Sequence, residues 1–117
     1  MDYSTLEDFA LVERFKAGRD EAAFKELFRR YKTKLINVAM RYTGDRPASE
    51  DIAHEVFLEI YEHIDRFRGE GRFFAYLYGI AFNKAKRLLH ELKRAVARET
   101  ARVAKKPKLL KGTPTPI

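Results

Sequence analysis

Apolar residues recur at three- and four-residue intervals along most of this chain, and this spacing constrains the fold more than any other feature. An α-helix brings residues three and four apart onto one face, whereas a half-buried strand needs strict alternation. No stretch of useful length alternates. We therefore predict an all-α fold, a compact bundle of about four helices followed by a basic, disordered C-terminal tail.

Capping and stop signals divide the 117 residues into four predicted helices. Ser4 and Glu7 form a capping-box pattern, and Asp20 is suited to cap the second helix. The predicted spans are Ser4 to Gly18, about 21–43 ending at Gly44, about 47–65 with Pro47 in the first turn, and about 73 to the middle nineties or beyond. Together they make a helical domain over 1–96, followed by a Lys- and Pro-rich linker or tail over 97–117.

The apolar stripes also predict which side chains form the core. The clearest stripe is in the third helix, where isoleucine or valine recurs every four residues. The stripes of the first, third and fourth helices are Leu6, Phe9, Ala10, Val12 and Phe15; Ile52, Val56, Ile60 and Ile64; and Phe74, Leu77, Ala81, Ala85, Leu88, Leu92 and Val96.

Charge is distributed unequally along the chain. Residues 1–65 carry 10 Lys or Arg and 14 Asp or Glu, whereas residues 66–117 carry 14 and 3, so the formal charge changes from −4 to +11. This asymmetry indicates a polyanionic partner for the second half and a different partner for the first. Charge alone is equally compatible with a solvated acidic helix beside a basic tail.

One face of the third helix is acidic. Asp51, Glu55, Glu59 and Glu62 fall together on it, and like charges four residues apart repel by a few tenths of a kcal/mol per pair. Carboxylates at the start of a helix suit its dipole, but that explanation does not reach Glu59 or Glu62. An acidic stripe without interleaved lysine favours a basic protein partner.

The fourth helix and the loop before it carry the opposite charge. Nucleic-acid recognition needs cations that bind phosphates, an amide that hydrogen-bonds base edges, and aromatic rings on which bases stack. Each has a plainer alternative, because one aromatic on a helix is often a packing residue and a glycine-containing loop is often a simple turn. The residues concerned are Phe67, Arg68, Arg72, Phe73, Tyr76, Asn83, Lys84, Arg87, His90 and Arg94.

Several classes of protein are excluded by what the sequence does not contain. Without cysteine there is no disulfide and no thiolate metal site, and the three histidines lack metal-ligand spacing. No nucleophile motif occurs, so we expect neither an enzyme nor a cofactor. The first ten residues do not form a secretory signal, and no apolar run approaches the ~18 residues of a membrane span. The expected location is the cytoplasm.

Three blocks occur in an order that resembles region 2 of bacterial sigma factors of the extracytoplasmic-function (ECF) group. They are "DEAAFKELFRRY" (20–31), "SEDIAHEVFLEIY" (49–61) after "GD", and "FFAYLYGIAFN" (73–83). The resemblance covers about residues 6–94. No single block would be specific, but three blocks with matching gaps are.

The resemblance implies two partners and no small-molecule substrate. In this family the third helix docks on the clamp helices of the RNA polymerase β′ subunit. The loop and the fourth helix bind the promoter −10 element, hold a flipped-out base of the non-template strand and help to melt the duplex. The residues implied for polymerase are Asp51, His54, Glu55, Leu58, Glu59 and Glu62, and those implied for DNA are the ten residues named above.

Departures from the family pattern leave other functions open. Tyr76 replaces the usual tryptophan, Gly79 lies inside the helix, and Arg87 and His90 stand where Asp and Arg are common. The alternatives are a polymerase-binding regulator without promoter recognition, an interaction module covered by an anti-sigma partner, and an unrelated helical protein that binds nucleic acid by charge. Nothing in the chain resembles region 4, so we expect a fragment rather than a protein that has region 2 alone.

Overall fold

The computed structural model describes residues 2–69 and 72–104. These residues form α1 (Asp8–Gly18), α2 (Glu21–Thr43), α3 (Arg46–Glu62) and α4 (Phe73–Ala104), with short 3-10 turns at Tyr3–Thr5 and Ile64–Arg66. No strand occurs in these two stretches, and the predicted all-α, four-helix fold is confirmed. Of the predicted tail, residues 97–104 are helical, and residues 105–117 lie outside the described residues.

The local signals around α2 and α3 act as the sequence predicts. The Asp20 carboxylate accepts hydrogen bonds from two backbone N–H groups of the first turn of α2, at 3.1 and 3.3 Å. Asp45 caps α3 in the same way at 2.9 Å, and Pro47 occupies its first turn. Gly44 ends α2 in the left-handed region, with a φ of 63° that favours glycine.

Two predicted helix ends are wrong. Ser4 lies in the first 3-10 turn, and Glu7 precedes α1 without a side-chain cap, so the predicted capping box does not open that helix. Further along the chain, α3 stops at Glu62 rather than near residue 65. His63 leaves helical geometry there, with φ −132° and ψ 41°, and a 3-10 turn follows.

The end of α1 is closed by an arginine rather than by the predicted glycine. Gly18 is the last helical residue, and Arg19 adopts a φ of 54°, where non-glycine residues are uncommon. The Arg19 guanidinium lies over the rings of Phe15 at 4.2 Å and Tyr61 at 4.6 Å, and it donates to the Tyr61 carbonyl at 2.7 Å. These contacts offset the backbone strain and join α1 to the end of α3.

The chain packs as two units, Met1–Ala85 and Lys86–Ile117. In the first unit all four helices contribute to one core, whose fully buried side chains include Leu11, Val12, Phe15, Leu27, Leu35, Val56, Ile60 and Leu77. Phe9 was predicted in this core but is 60% exposed. In the second unit Leu92 and Val96 were also predicted as core residues, and they are 52% and 64% exposed. The predicted domain boundary at residue 96 falls inside α4 and stays a prediction.

Candidate protein and nucleic-acid interfaces

The outward face of α3 is acidic and open to solvent. Asp51, Glu55 and Glu62 are exposed, as is His54. Among the described residues, neither Asp51 nor Glu55 has an ion-pair partner within 4.0 Å. Leu58 is 49% exposed on the same helix and adds an apolar side chain to the set. The face therefore offers uncompensated negative charge with an apolar contact, which suits a basic protein surface.

A shallow cavity of about 310 Å³ lies beside this acidic face, between α2 and α3. Its lining combines Glu50, Asp51 and the basic Lys32 with aromatic and aliphatic side chains, among them Phe28, Ile36 and Phe57. Sequence reasoning missed this cavity because it depends on how α2 and α3 pack. Such a cavity fits an apolar side chain from a partner protein.

Glu59 and Lys84, predicted to bind different partners, contact each other. The Lys84 Nζ lies 3.5 Å from Glu59 Oε1, and the two side chains are 18% and 33% exposed. This ion pair joins α3 to the first half of α4. Tyr76 lies near it, and burial, followed by the Glu59 carboxylate, raises the pKa of the Tyr76 phenol. The predicted polymerase and DNA residues thus meet at one partly buried pair.

The predicted DNA-binding residues of α4 differ in exposure. Tyr76 is half-buried and contacts Phe67 with ring centroids 5.1 Å apart. The Asn83 side chain is exposed on the first unit. On the second unit, Arg87, His90 and Arg94 are exposed as well. The exposed amide and cations have the chemistry to contact bases and phosphates.

The loop before α4 presents its arginines to solvent and its phenylalanines to the core. Arg68 and Arg72 are exposed, whereas Phe67 and Phe73 are only 5% and 4% exposed and pack edge to face at 5.3 Å. The Lys16 ammonium donates to the Phe67 carbonyl at 2.5 Å and fixes this loop to α1. The two phenylalanine rings therefore pack inside the domain, and neither is open to an incoming base in this structure.

A larger cleft of about 880 Å³ was not found by sequence reasoning at all. It lies in the Met1–Ala85 unit and is lined by Phe9, Lys34 and Phe74 among others. One signal was available in the sequence. At 100° per residue, Phe9 lies roughly 110° around α1 from the centre of the Leu11, Val12 and Phe15 stripe, too far to share its buried face.

Neither a cluster of potential metal ligands nor a helix able to span a membrane occurs in the described part of the chain. Among residues 2–69 and 72–104, no group of three or more His, Cys, Asp or Glu side chains is placed to hold a metal ion. In the same residues, no helix has both the length and the apolar character that a bilayer crossing demands.

This chain is similar to known proteins of one family. The family "Sigma-70 region 2" matches residues 27–95, which is more than half of the chain. Over 84 residues the chain is 43% identical to the ECF RNA polymerase sigma-E factor of Haemophilus influenzae, covering 72% of this chain and 43% of that protein. It is 42% identical over 86 residues to the sigma-E factor of Escherichia coli K12, with the same two coverages.

A third relative and a solved structure extend the comparison. The RNA polymerase sigma-H factor of Pseudomonas aeruginosa is 38% identical over 80 residues, covering 68% of this chain and 41% of that protein. The chain thus spans about two fifths of the length of the curated relatives it matches. An NMR structure of an engineered region 2 of sigmaE in complex with GTAAAA matches with a TM-score of 0.66 and 36% identity, over 81% of this chain and 97% of that one.

Proposed function

The chain belongs to the sigma-70 region 2 family of ECF sigma factors, and on that basis we propose that it binds core RNA polymerase and the promoter −10 element during transcription initiation. The observation that carries this proposal is the separation of charge within the matched residues: exposed carboxylates on α3 and exposed cations and an amide around α4. A chain with these partners acts in the cytoplasm by binding alone. An anti-sigma partner that covers either face is part of the same proposal.

The polymerase contact is assigned to the outward face of α3. Asp51 and Glu55 supply charge and Leu58 supplies apolar area, while the neighbouring 310 Å³ cavity accepts a side chain of the partner. Complementary charge mainly raises the association rate and fixes how the two surfaces are oriented. The apolar contact slows dissociation of the complex. The partner surface is the basic side of the β′ clamp helices.

The DNA contact is assigned to the loop and to α4. Asn83 offers both an amide donor and an acceptor for a base edge, and Arg68 and Arg72 offer cations for phosphates. The match to a region 2 solved with GTAAAA supports single-stranded DNA as the ligand. Because the rings of Phe67 and Phe73 are buried, we assign these residues a structural role in which they anchor the loop in the core. Arg87, His90 and Arg94 supply further phosphate contacts.

Fluorescence anisotropy with single-stranded oligonucleotides tests the DNA half. We expect GTAAAA to bind more tightly than a scrambled oligonucleotide, and Asn83→Ala to lose that preference, by about 1–3 kcal/mol for a good amide–base pair. Asn37→Ala, which removes an exposed amide from α2, is the matched control and should change nothing. Equal affinity for all sequences would support the regulator without promoter recognition instead.

A charge reversal tests the polymerase half. Asp51→Lys with Glu55→Lys should weaken binding to core polymerase by at least about tenfold, because it places like charge against the partner. The control pair Glu13→Lys and Glu91→Lys makes the same change in net charge on other exposed surfaces. If both pairs weakened polymerase binding equally, the effect would be one of net charge, and the assignment to α3 would be wrong.

A further inference from the structure

One apolar face of the second unit has no role in the proposed polymerase and DNA contacts. The described part of this unit is the helical stretch 86–104 of α4. On this face Leu92 and Val96 are 52% and 64% exposed, and Leu89 and Val103 are half-buried. Single exposed aliphatic residues are ordinary, but a row of them along one helix face is the pattern of a surface that packs against a partner.

The spacing of this face is that of a coiled-coil seam. The a and d positions of a heptad alternate at intervals of three and four residues and meet on one side of the helix. Intervals of three, four, three and four residues separate Leu89, Leu92, Val96, Glu99 and Val103, which we call the α4 seam. It extends over about 21 Å of helix, two heptads in length.

The seam contains one charged residue, Glu99, at a d position. Its carboxylate accepts a hydrogen bond from Arg102 Nε at 3.1 Å, so its charge is compensated within the helix. A single polar residue in an otherwise apolar seam fixes the register of the partner helix at some cost in stability. The α4 seam therefore has the features of a short, specific helix–helix contact.

Positive charge alone flanks the seam. The flanking positions of a heptad are e and g, and their charged members within residues 86–104 are Lys86, Lys93 and Arg102. No carboxylate occupies an e or g position in this stretch. Among the described residues, neither lysine lies within 4.0 Å of a carboxylate. Since e and g residues pair with those of the facing helix, the seam selects a helix with carboxylates there.

We propose that the α4 seam binds an acidic amphipathic helix of a partner protein as a short two-stranded coiled coil. The partner places apolar side chains against Leu92 and Val96, and its aspartate or glutamate residues meet Lys86 and Lys93. Two heptads bury little area, so the affinity is in the micromolar range, about −8 kcal/mol of binding free energy at 1 μM.

DNA and the partner helix use different sides of α4. The residues to which we assign phosphate contacts occupy b and f positions, which point away from the facing helix in a coiled coil. They lie roughly 140–180° around the helix from the centre of the seam, at 100° per residue. These residues are Arg87, His90 and Arg94. The inference thus goes beyond the proposed function and does not compete with it.

Two other occupants fit the seam less well. A second copy of this chain brings six Lys or Arg and only two Glu within residues 86–104, so each copy carries a net charge of +4 there and the two repel. An anionic lipid surface would attract the cations, but it would draw Glu99 into the apolar boundary, where a carboxylate is unfavourable.

The test measures by fluorescence anisotropy how labelled designed peptides bind to the 117-residue chain. The probe is a three-heptad peptide with leucine at a and d and glutamate at e and g. One matched peptide has lysine at e and g, and another has serine at a and d. We expect the acidic leucine peptide to bind at least about tenfold more tightly than either. Equal binding of the acidic and the lysine peptides would overturn the proposal.

Variants of the chain test whether the seam is the binding surface. Leu92→Ala with Val96→Ala should weaken peptide binding at least about tenfold and, because both side chains are exposed, keep the melting temperature. Phe9→Ala removes an exposed apolar side chain from the first unit and should change nothing. Lys93→Gln should weaken binding, whereas Arg98→Gln, at an outward c position, should not. Peptide binding that survived the double variant would overturn the assignment to the seam.

The competing occupants give results of their own. A dimer in sedimentation equilibrium that the Leu92→Ala and Val96→Ala double variant abolishes would identify a second copy as the occupant and overturn the proposal. Binding to phosphatidylglycerol vesicles that the same variant abolishes, without peptide binding, would overturn it in favour of a lipid surface. Asn83→Ala should lose the preference for GTAAAA and keep the peptide affinity, so failure of the proposed function is distinguishable from failure of this inference.

Discussion

The phenol of Tyr31 provides a test of the packing around the cleft that needs no ligand. Its hydroxyl donates a hydrogen bond to the Asp8 carboxylate across α1 and α2. Burial and then this bond raise the pKa of Tyr31 from 10.0 to about 12. The folded protein thus keeps the phenolic proton over a pH range in which the unfolded chain has lost it. The contribution to stability is complete below pH 10 and disappears as the pH rises through 12.

The size of this effect follows from the shift. Two pKa units correspond to about 2.7 kcal/mol, and partial exposure of the ring reduces the expected value to about 1–2 kcal/mol. Tyr31→Phe keeps the ring but removes the titrating group and its hydrogen bond. We therefore expect this variant to be less stable by about 1–2 kcal/mol at pH 8, and the difference from the unchanged protein to close as the pH approaches 12.

Urea unfolding followed by circular dichroism at intervals from pH 8 to 12 measures both free energies of unfolding. Absorbance of the phenolate at 295 nm reports the titration itself in the same samples. Other tyrosines and the lysines titrate in this range too, but they are common to both proteins and cancel in the difference. A difference that stayed constant from pH 8 to 12 would refute the link between the Asp8 hydrogen bond and the raised pKa.

Two further predictions concern stability. Gly79→Ala should stabilise the protein by about 1 kcal/mol, because a Cβ there meets nothing within 4 Å inside a helix, whereas Gly44→Ala should destabilise it because its φ is +63°. If both variants changed the melting temperature in the same direction and by the same amount, the explanation from backbone dihedral angles would be wrong. A double-mutant cycle of Glu59→Gln and Lys84→Met should give a coupling free energy of about 0.5–1 kcal/mol that shrinks with salt. A coupling of zero at low salt would show that the pair does not join α3 to α4 in solution.

Local signals in the sequence were sufficient for α2 and much of α3. Asp20 and Gly44 act through bonds and dihedral angles of their own neighbours, so their effect can be predicted without the fold. The start of α1 could not be predicted in this way. Arg30 of α2 donates to the carbonyls of Tyr3 and Leu6, at 3.1 and 2.5 Å, and these contacts hold the first residues in a 3-10 turn.

The residues of the candidate interfaces also fall into two groups, those that local sequence patterns predict and those that depend on tertiary packing. The exposure of Asp51, Glu55 and Asn83 follows from helical periodicity, since each lies away from an apolar stripe. Burial of Phe67 could not be predicted, because a loop has no period from which to infer an inward direction. The Glu59–Lys84 pair likewise joins residues of two helices, and its existence depends on tertiary packing.

Burial of Phe67 and Phe73 has a consequence for genetic studies of this domain. Truncating a buried phenylalanine costs about 3–5 kcal/mol, a large part of the stability of a small domain. In cells such variants are removed by proteases, and their abundance falls severalfold. A screen for loss of the proposed promoter binding would recover both positions whether or not they ever touch DNA. Assigning their role therefore requires measuring protein levels beside promoter output.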